Sequence, residues 1–341
     1  MKAAVLRDFK TPLAVEDVPS PKPADQEVLI KVEVCGLCHS DLHVADGDWP
    51  QLARLVKKPL ILGHEVIGRV VEVGTTVKGV SLGERVGVPW YYWTCGECEF
   101  CREGNENLCV RQQITGVTVD GGYAEFVKAP ATHVVRIPDE LTSEQAAPLL
   151  CAGLTVLRAL TRSRLSRGQR LIIFGLGGLG HIAVQLGREL GAEVTAVDVQ
   201  DDKLVLAKSL GAAKTFNAAR DNVIKEMRAA GRAHVALVTS ASKAAYDSAF
   251  YCVRPSGVLL VVGLPAQDLT FPAILMAGGE IRIQASATGT RQDLRAILAL
   301  GAAGKVHCEV TPWPLAEAND AMEQLRRGQA LGRVVLHMDA V

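Results

Sequence analysis

The chain carries no net charge: its 37 basic and 37 acidic residues cancel. That removes the electrostatic basis for gripping nucleic acid or an anionic membrane. It also lacks any apolar run near the roughly 18 residues that a membrane-spanning helix needs. The start, Met1-Lys2-Ala3-Ala4-Val5-Leu6, runs straight into a strand-like pattern, with no signal-peptide hydrophobic region or cleavage site. The expectation is a cytoplasmic protein with neither nucleic-acid nor membrane partners. No internal repeat or low-complexity tract is present. Nine cysteines are an uneven count in a long chain, which argues against a disulfide framework and for metal binding. At 341 residues, about two domains are expected.

The first 130 or so residues read as β-rich. Short alternating runs fall at Lys2–Leu6, Val28–Val34, Val66–Val73, Arg85–Val88 and Tyr123–Lys128, closely punctuated by Gly and Pro. Such spacing suggests a small barrel or sandwich. From about residue 140 the pattern changes to alternating strands and helices. Strands are expected at Arg170–Phe174, Glu193–Val197, Lys214–Phe216, Val235–Thr239, Gly257–Val262 and Ile281–Ala285. Helices are expected at about Asp202–Leu210, Asn222–Ala230 and Lys243–Cys252. Six strands with crossover helices make a doubly wound parallel sheet, so the class is α/β. A Pro-flanked helix at about Leu315–Arg327 and a strand at Gly332–Leu336 end the chain. This tail is expected to return to the N-terminal domain.

Chemistry concentrates in Val34-Cys35-Gly36-Leu37-Cys38-His39-Ser40-Asp41-Leu42-His43. From Cys38 to His43 it offers a thiol, two imidazoles, a hydroxyl and a carboxylate. Thiolate and imidazole are ligands of open, catalytic zinc sites. A hydroxyl beside a metal, with a histidine behind it, can carry a proton away from a buried alcohol. Taken alone, Cys35-x-x-Cys38 also fits a redox pair or half a zinc knuckle. His64 follows Gly63 at the start of a Val- and Gly-rich strand, where a core or capping role is commoner than a ligand role. Cys95, Cys98, Cys101 and Cys109 lie within 15 residues, in a Gly-, Glu- and Asn-rich segment with little apolar material. Four thiolates closing a tetrahedron would leave no site for water and would supply the missing folding energy. Two disulfides or an iron–sulfur cluster are the other readings, disulfides being disfavoured in the cytoplasm; spacing and composition favour a structural zinc lobe at 93–112.

Gly175-Leu176-Gly177-Gly178-Leu179-Gly180 closes one strand and opens a helix, and Asp198 follows 18 residues past Gly180. That is the context of a dinucleotide fingerprint. Gly175 permits the turn, Gly177 lets backbone approach a pyrophosphate, and Gly180 allows close packing of helix on strand. The helix N-terminus suits phosphate. Asp198 can accept both hydrogens of a ribose diol and would repel a 2′-phosphate; no Arg follows at 199 or 200. NAD is favoured over NADP. Cys151, in Pro148-Leu149-Leu150-Cys151-Ala152-Gly153, reads by itself as a small hydrophobe in an apolar helix. Cys35, Cys252 and Cys308 are read the same way.

These motifs, in this order, resemble the zinc-dependent medium-chain alcohol dehydrogenases of the bacterial and yeast kind. Gly47-Asp48-Trp49-Pro50 is similar to that subgroup too. The resemblance spans essentially the whole chain. It implies a GroES-like catalytic domain (1–150), a Rossmann NAD-binding domain (151–287) and a C-terminal segment (288–341) returning to the first. It implies catalytic zinc on Cys38, His64 and Cys151, with a second, structural zinc on the four-cysteine lobe. Glu65 would sit behind the metal as a transient ligand, and Asp41 would hydrogen-bond His64. Ser40 would take the substrate proton and pass it through the nicotinamide ribose to His43. His39 and Arg333 would meet the pyrophosphate, Lys203 the adenosine ribose, and Thr155 the nicotinamide. Trp49 and Trp90 would line a cleft for small primary alcohols. A tetramer or dimer is implied. Other zinc oxidoreductases of this fold act on polyols, cinnamyl alcohols or a formaldehyde adduct; an inactive scaffold would have no need of Ser40 and His43.

Overall fold

The computed structural model describes residues 1–338. Contacts divide the chain into two compact units. The first holds Met1–Cys151, Thr290–Gly304 and the chain from Val310 on; the second holds Ala152–Gly289 and Lys305–Glu309.

In the first unit the longest strand, Glu27–Leu37, is the axis of a seven-stranded sheet. Val28, Ile30, Val32 and Val34 recur at every second position and are buried, the period-2 pattern that fixes register where a face is buried. One edge pairs antiparallel with Glu65–Val73. The other is shared by Phe126–Pro130 and by the tail strand Arg333–His337. The register sets Gly36 opposite both Glu65 and Val335. Cys38 and His64, distant in sequence, therefore leave the sheet at the same end.

The expected strand Tyr123–Lys128 starts later, at Phe126. Residues 121–124 pair elsewhere: the Gly121 and Tyr123 N–H groups donate to Ile61 and Leu62 carbonyls, and Ala4 N–H donates to Tyr123. The expected helix Leu315–Arg327 begins as a 3-10 turn, Leu315–Glu317, and is α-helical over Ala318–Arg326.

The second unit is built on six parallel strands. In space they run Lys214–Asn217, Glu193–Asp198, Arg170–Phe174, Ala233–Val238, Val253–Val261, Arg282–Ala285. Leu171, Ile172 and Ile173 are all fully buried, as expected of a strand covered on both faces. The order reverses direction at Arg170–Phe174, and the glycine loop follows that strand, at the switch point where such sheets bind ligands.

Residues 305–309 belong to this unit, although the chain on both sides of them belongs to the first. One face of the helix Gly180–Glu189 explains it. The Gln185 side-chain amide accepts from His307 N–H at 2.9 Å and donates to His307 C=O at 2.8 Å, standing in for a strand partner. One helical turn away, His181 Nε2 accepts from Glu309 N–H at 3.3 Å, and Lys305 pairs with Glu189 at 2.8 Å. No local pattern in residues 305–309 announces this. Gln185→Leu should strand both His307 backbone groups and cost about 1–3 kcal/mol, read as a lowered urea midpoint with unchanged slope. An unchanged midpoint would refute the role of this amide.

Candidate active site

Strand Glu27–Leu37 delivers Cys38 to the start of the helix His39–Asp46. Asp41, three residues on, turns back so that its Oδ2 accepts Cys38 N–H at 2.9 Å. The same oxygen accepts the Tyr123 hydroxyl at 2.9 Å. Asp41 Oδ1 lies 3.2 Å from His64 Nδ1. This orients the imidazole with Nε2 forward, and that atom is buried without a hydrogen-bond partner. Gly63, at φ +97°, permits the approach: a Cβ there would lie 2.4 Å from the Tyr123 ring.

Cys151 Sγ lies 4.0 Å from Cys38 Sγ. Contrary to the helical reading, Cys151 sits at φ −128°, ψ −67°, in the break between the 3-10 turn Ala147–Leu150 and the next helix. Its Sγ and the donor atoms of Cys38, His64 and Glu65 all lie within 4.8 Å of one another. The Cys38 thiol is pulled well below its ordinary range, chiefly by the hydrogen bond from Cys151 working against burial, then by His64 and Arg333. Two thiols and a forward-facing unpartnered imidazole nitrogen fit a zinc ion with an open fourth position, with the buried Glu65 carboxylate close by. Ser40 Oγ lies 3.7 Å from Cys38 Sγ.

Glu65 is fully buried, and burial pushes its carboxyl upward while Arg333 opposes the shift. Arg333 is itself buried and ion-paired to Glu65. The resemblance places Arg333 on a pyrophosphate; in the structure the antiparallel pairing beside Gly36 sets its guanidinium against Glu65. His39 is exposed. Trp90 meets the His64 ring edge-on, with centroids 4.8 Å apart, and Trp49 lies over His43 at 4.3 Å.

In the cysteine lobe the thiols converge between the strands Tyr91–Trp93 and Gln113–Ile114. Cys95 Sγ lies 3.9 Å from Cys101 Sγ and 3.5 Å from Cys109 Sγ. A zinc tetrahedron with Zn–S of about 2.3 Å has S···S edges of roughly 3.8 Å. Disulfide sulfurs would be about 2 Å apart, and all nine cysteines are free. Backbone N–H groups of Glu97 and Cys98 lower the Cys95 thiol to about 5. The lobe is moored by His133, whose Nε2 accepts Thr94 N–H at 3.0 Å.

In the second unit, Gly175 has φ +91°, and a Cβ on Gly180 would lie 1.9 Å from Gly175 C=O. A Cβ on Gly177 would meet nothing within 4 Å, so that face of the loop is open. Gly178 and Leu179 complete the loop, and Leu179 gives the helix Gly180–Glu189 no side-chain cap. An open glycine face before an uncapped helix N-terminus fits a phosphate group. Asp198 does more than end its strand. Its Oδ2 accepts Leu176 N–H at 2.7 Å and its Oδ1 accepts Val199 N–H at 2.8 Å, so the acid also shapes the loop. Lys203 and Thr155 are both buried, in the helices Asp201–Ser209 and Ala152–Ser163.

Comparison with known proteins now decides the family. Residues 24–139 match the alcohol dehydrogenase GroES-like domain, and residues 178–303 match the zinc-binding dehydrogenase domain. An alcohol dehydrogenase of Geobacillus stearothermophilus is 46% identical over 99% of this chain and 100% of its own. The chain belongs to the zinc-dependent medium-chain alcohol dehydrogenases. The structure of the Aeropyrum pernix alcohol dehydrogenase superposes with a TM-score of 0.93 at 36% identity, covering 99% of this chain and 100% of that one. Geotrichum candidum acetophenone reductase, in complex with NAD, gives 0.90 at 30% identity, covering 98% and 96%. As a member of this family the chain uses zinc and a nicotinamide cofactor and acts on small molecules. No helix among the described residues is long and apolar enough to cross a membrane.

Sequence reasoning missed Tyr123 and His133, because each acts on a partner far along the chain and sits in no motif. Burial and, next, the Arg291 charge lower His133 to about 4. The unfolded chain, with His near 6.5, therefore binds more protons between about pH 6.5 and 4, and stability falls as pH drops through that window. His133→Gln should lose less stability than wild type between pH 7 and pH 5; equal losses in urea midpoint would disprove the assignment. For the metal, about two zinc ions per chain are expected. Cys98→Ser should lower thermal stability, whereas Cys151→Ser should abolish turnover and leave the fold intact. Elemental analysis finding one zinc in active wild type would overturn the pairing of sites.

Proposed function

We propose that this alcohol dehydrogenase oxidises small alcohols, primary ones foremost and secondary ones as well, reversibly to aldehydes or ketones, with NAD rather than NADP as acceptor. The observation that carries the reading is the buried Cys38, His64 and Cys151 donor set, with its unpartnered His64 Nε2 and with Ser40 Oγ 3.7 Å from Cys38 Sγ. Bound zinc supplies Lewis-acid polarisation of a substrate oxygen, and a bound nicotinamide supplies the hydride acceptor.

The chain's own residues do the rest. Cys38, His64 and Cys151 would hold the catalytic metal, and Cys95, Cys98, Cys101 and Cys109 would hold a structural one. Asp41 keeps His64 in the tautomer with Nε2 forward. Glu65, fixed by Arg333, stands behind the set as a reserve carboxylate. Ser40 accepts the hydrogen of the substrate hydroxyl, and His43, half-buried, carries the proton toward solvent. Trp49 and Trp90 narrow the space beside His43 and His64, which favours small substrates. On the dinucleotide side, Gly175, Gly177, Gly178, Leu179 and Gly180 would receive the phosphates. Asp198 and Lys203 would take the adenosine ribose, His39 and Arg333 the pyrophosphate and Thr155 the nicotinamide. A homotetramer or dimer in the cytoplasm accords with the family.

A rate panel over ethanol, longer primary alcohols, a polyol, cinnamyl alcohol and a formaldehyde adduct, each with NAD and NADP, tests this. Small primary alcohols with NAD should give the highest kcat/KM. Asp198→Ala should narrow the NAD preference by roughly tenfold or more, the worth of a hydrogen bond to a charged group. A preference unchanged by that substitution, or highest rates on another substrate class, would displace the proposal.

A further inference from the structure

The segment Gly47-Asp48-Trp49-Pro50 does more than place the ring of Trp49. Its geometry assigns it a second task. The helix His39–Asp46 ends at Gly47, which adopts φ +68° and whose N–H closes onto Val44 C=O. A side chain at 47 would have to displace Phe9, whose ring a Cβ would meet at 3.2 Å. This left-handed turn folds the next two residues back over the last turn of the helix. Asp48 N–H donates to His43 C=O at 3.1 Å. Asp48 Oδ2 reaches His43 Nδ1 at 2.9 Å. Trp49 then covers the face of the same ring, with centroids 4.3 Å apart and planes tilted by 31°. The turn thus holds one imidazole by its backbone carbonyl, its Nδ1 edge and its face.

An ionised carboxylate has only acceptors, so Nδ1 carries a hydrogen, and in the neutral ring Nε2 is then the free lone pair. Isolated histidine has no such constraint, and a ring with Nε2–H could not accept a proton there. We propose that Asp48 is a positioning residue of the proton path: it fixes the His43 tautomer so that Nε2 is the atom that receives the proton. This rests on the reading of His43 as the outer member of that path. In balance, the substrate O–H bond breaks, the proton reaches His43 Nε2 by way of Ser40, and the same N–H bond later breaks to release it to water. The hydride, with its two electrons, goes from the alcohol carbon to the nicotinamide. Nδ1–H stays on the ring throughout. Asp48 touches neither substrate nor reacting atom. Because Trp49 shares the ring, substitutions there alter proton release as well as pocket size.

The turn is also separated from the metal set in a useful way. Asp48 is a third exposed at its side chain, lies outside the donor cluster and gives its carboxylate to His43. Asp48→Ala should therefore leave zinc content and fold unchanged.

The test has two arms. In ¹⁵N spectra of histidine-labelled protein, His43 should show the neutral form protonated at Nδ1 in wild type. In Asp48→Ala it should move to the form protonated at Nε2. In steady-state oxidation with NAD near neutral pH, Asp48→Ala should lower kcat by roughly tenfold with little change in the KM for alcohol, near the low end of what general acid–base groups contribute. The solvent isotope effect should rise, because proton removal becomes limiting, and the substrate-deuterium effect should shrink. His43→Gln should match this defect and should not be worsened by adding Asp48→Ala. Wild-type rates in His43→Gln would remove His43 from the path and with it the underlying reading. A slow His43→Gln beside an Asp48→Ala variant with wild-type rates, or with an unchanged tautomer, would overturn the role of Asp48 alone.

Discussion

Everything at the metal-binding end of the first unit depends on one buried carboxylate. Asp41 is 1% exposed, and an unpaired charge at that depth would cost several kcal/mol. It is tolerated because Cys38 N–H, the Tyr123 hydroxyl and His64 Nδ1 all converge on it. Those three groups come from a helix start, a glycine-rich connection and the start of a strand. Satisfying the carboxylate therefore locks three segments together and, as a by-product, aims His64 Nε2 at the two thiols. The same logic recurs one layer further in, where Arg333 from the tail neutralises Glu65. Deep burial of polar groups leaves few permitted arrangements, and the one adopted is a ligand set.

The second unit meets a different constraint. Its central strands are apolar on both faces and need no polar glue, so its specificity lies in the loop after Arg170–Phe174. There too a carboxylate organises backbone: Asp198 accepts the Leu176 N–H within the glycine loop. That engagement ties the acid at the end of Glu193–Asp198 to the shape of the glycine turn, so a change at Asp198 changes the loop as well.

Local pattern carried a good deal of this. The period-2 burial of Glu27–Leu37 and the continuous apolar strands of the parallel sheet are properties of neighbouring residues, and the sequence exposes them directly. Cysteine spacing in the lobe is likewise local, since the tetrahedron is assembled within 15 residues. Where pairing partners compete, the pattern was insufficient. Residues 121–124 read as a continuation of the following strand, yet they hydrogen-bond to residues 61–62 and to Ala4. Residues 305–309 carry no signal for the helix face that captures them.

The division follows from range. Residue type and spacing by themselves determined two fold classes in one chain, four thiols fit to close on a metal, and a strand–glycine loop–helix unit with an acid beyond it. They also placed a thiol, a hydroxyl and a histidine within six residues, as one short helix requires. Only the tertiary structure decided that Cys151 stands 4.0 Å from Cys38, that Arg333 belongs to Glu65, and that Tyr123 completes Asp41. Each of those joins residues more than 80 positions apart through strand register and burial. No periodicity in a single sequence encodes which distant partner will satisfy a buried charge.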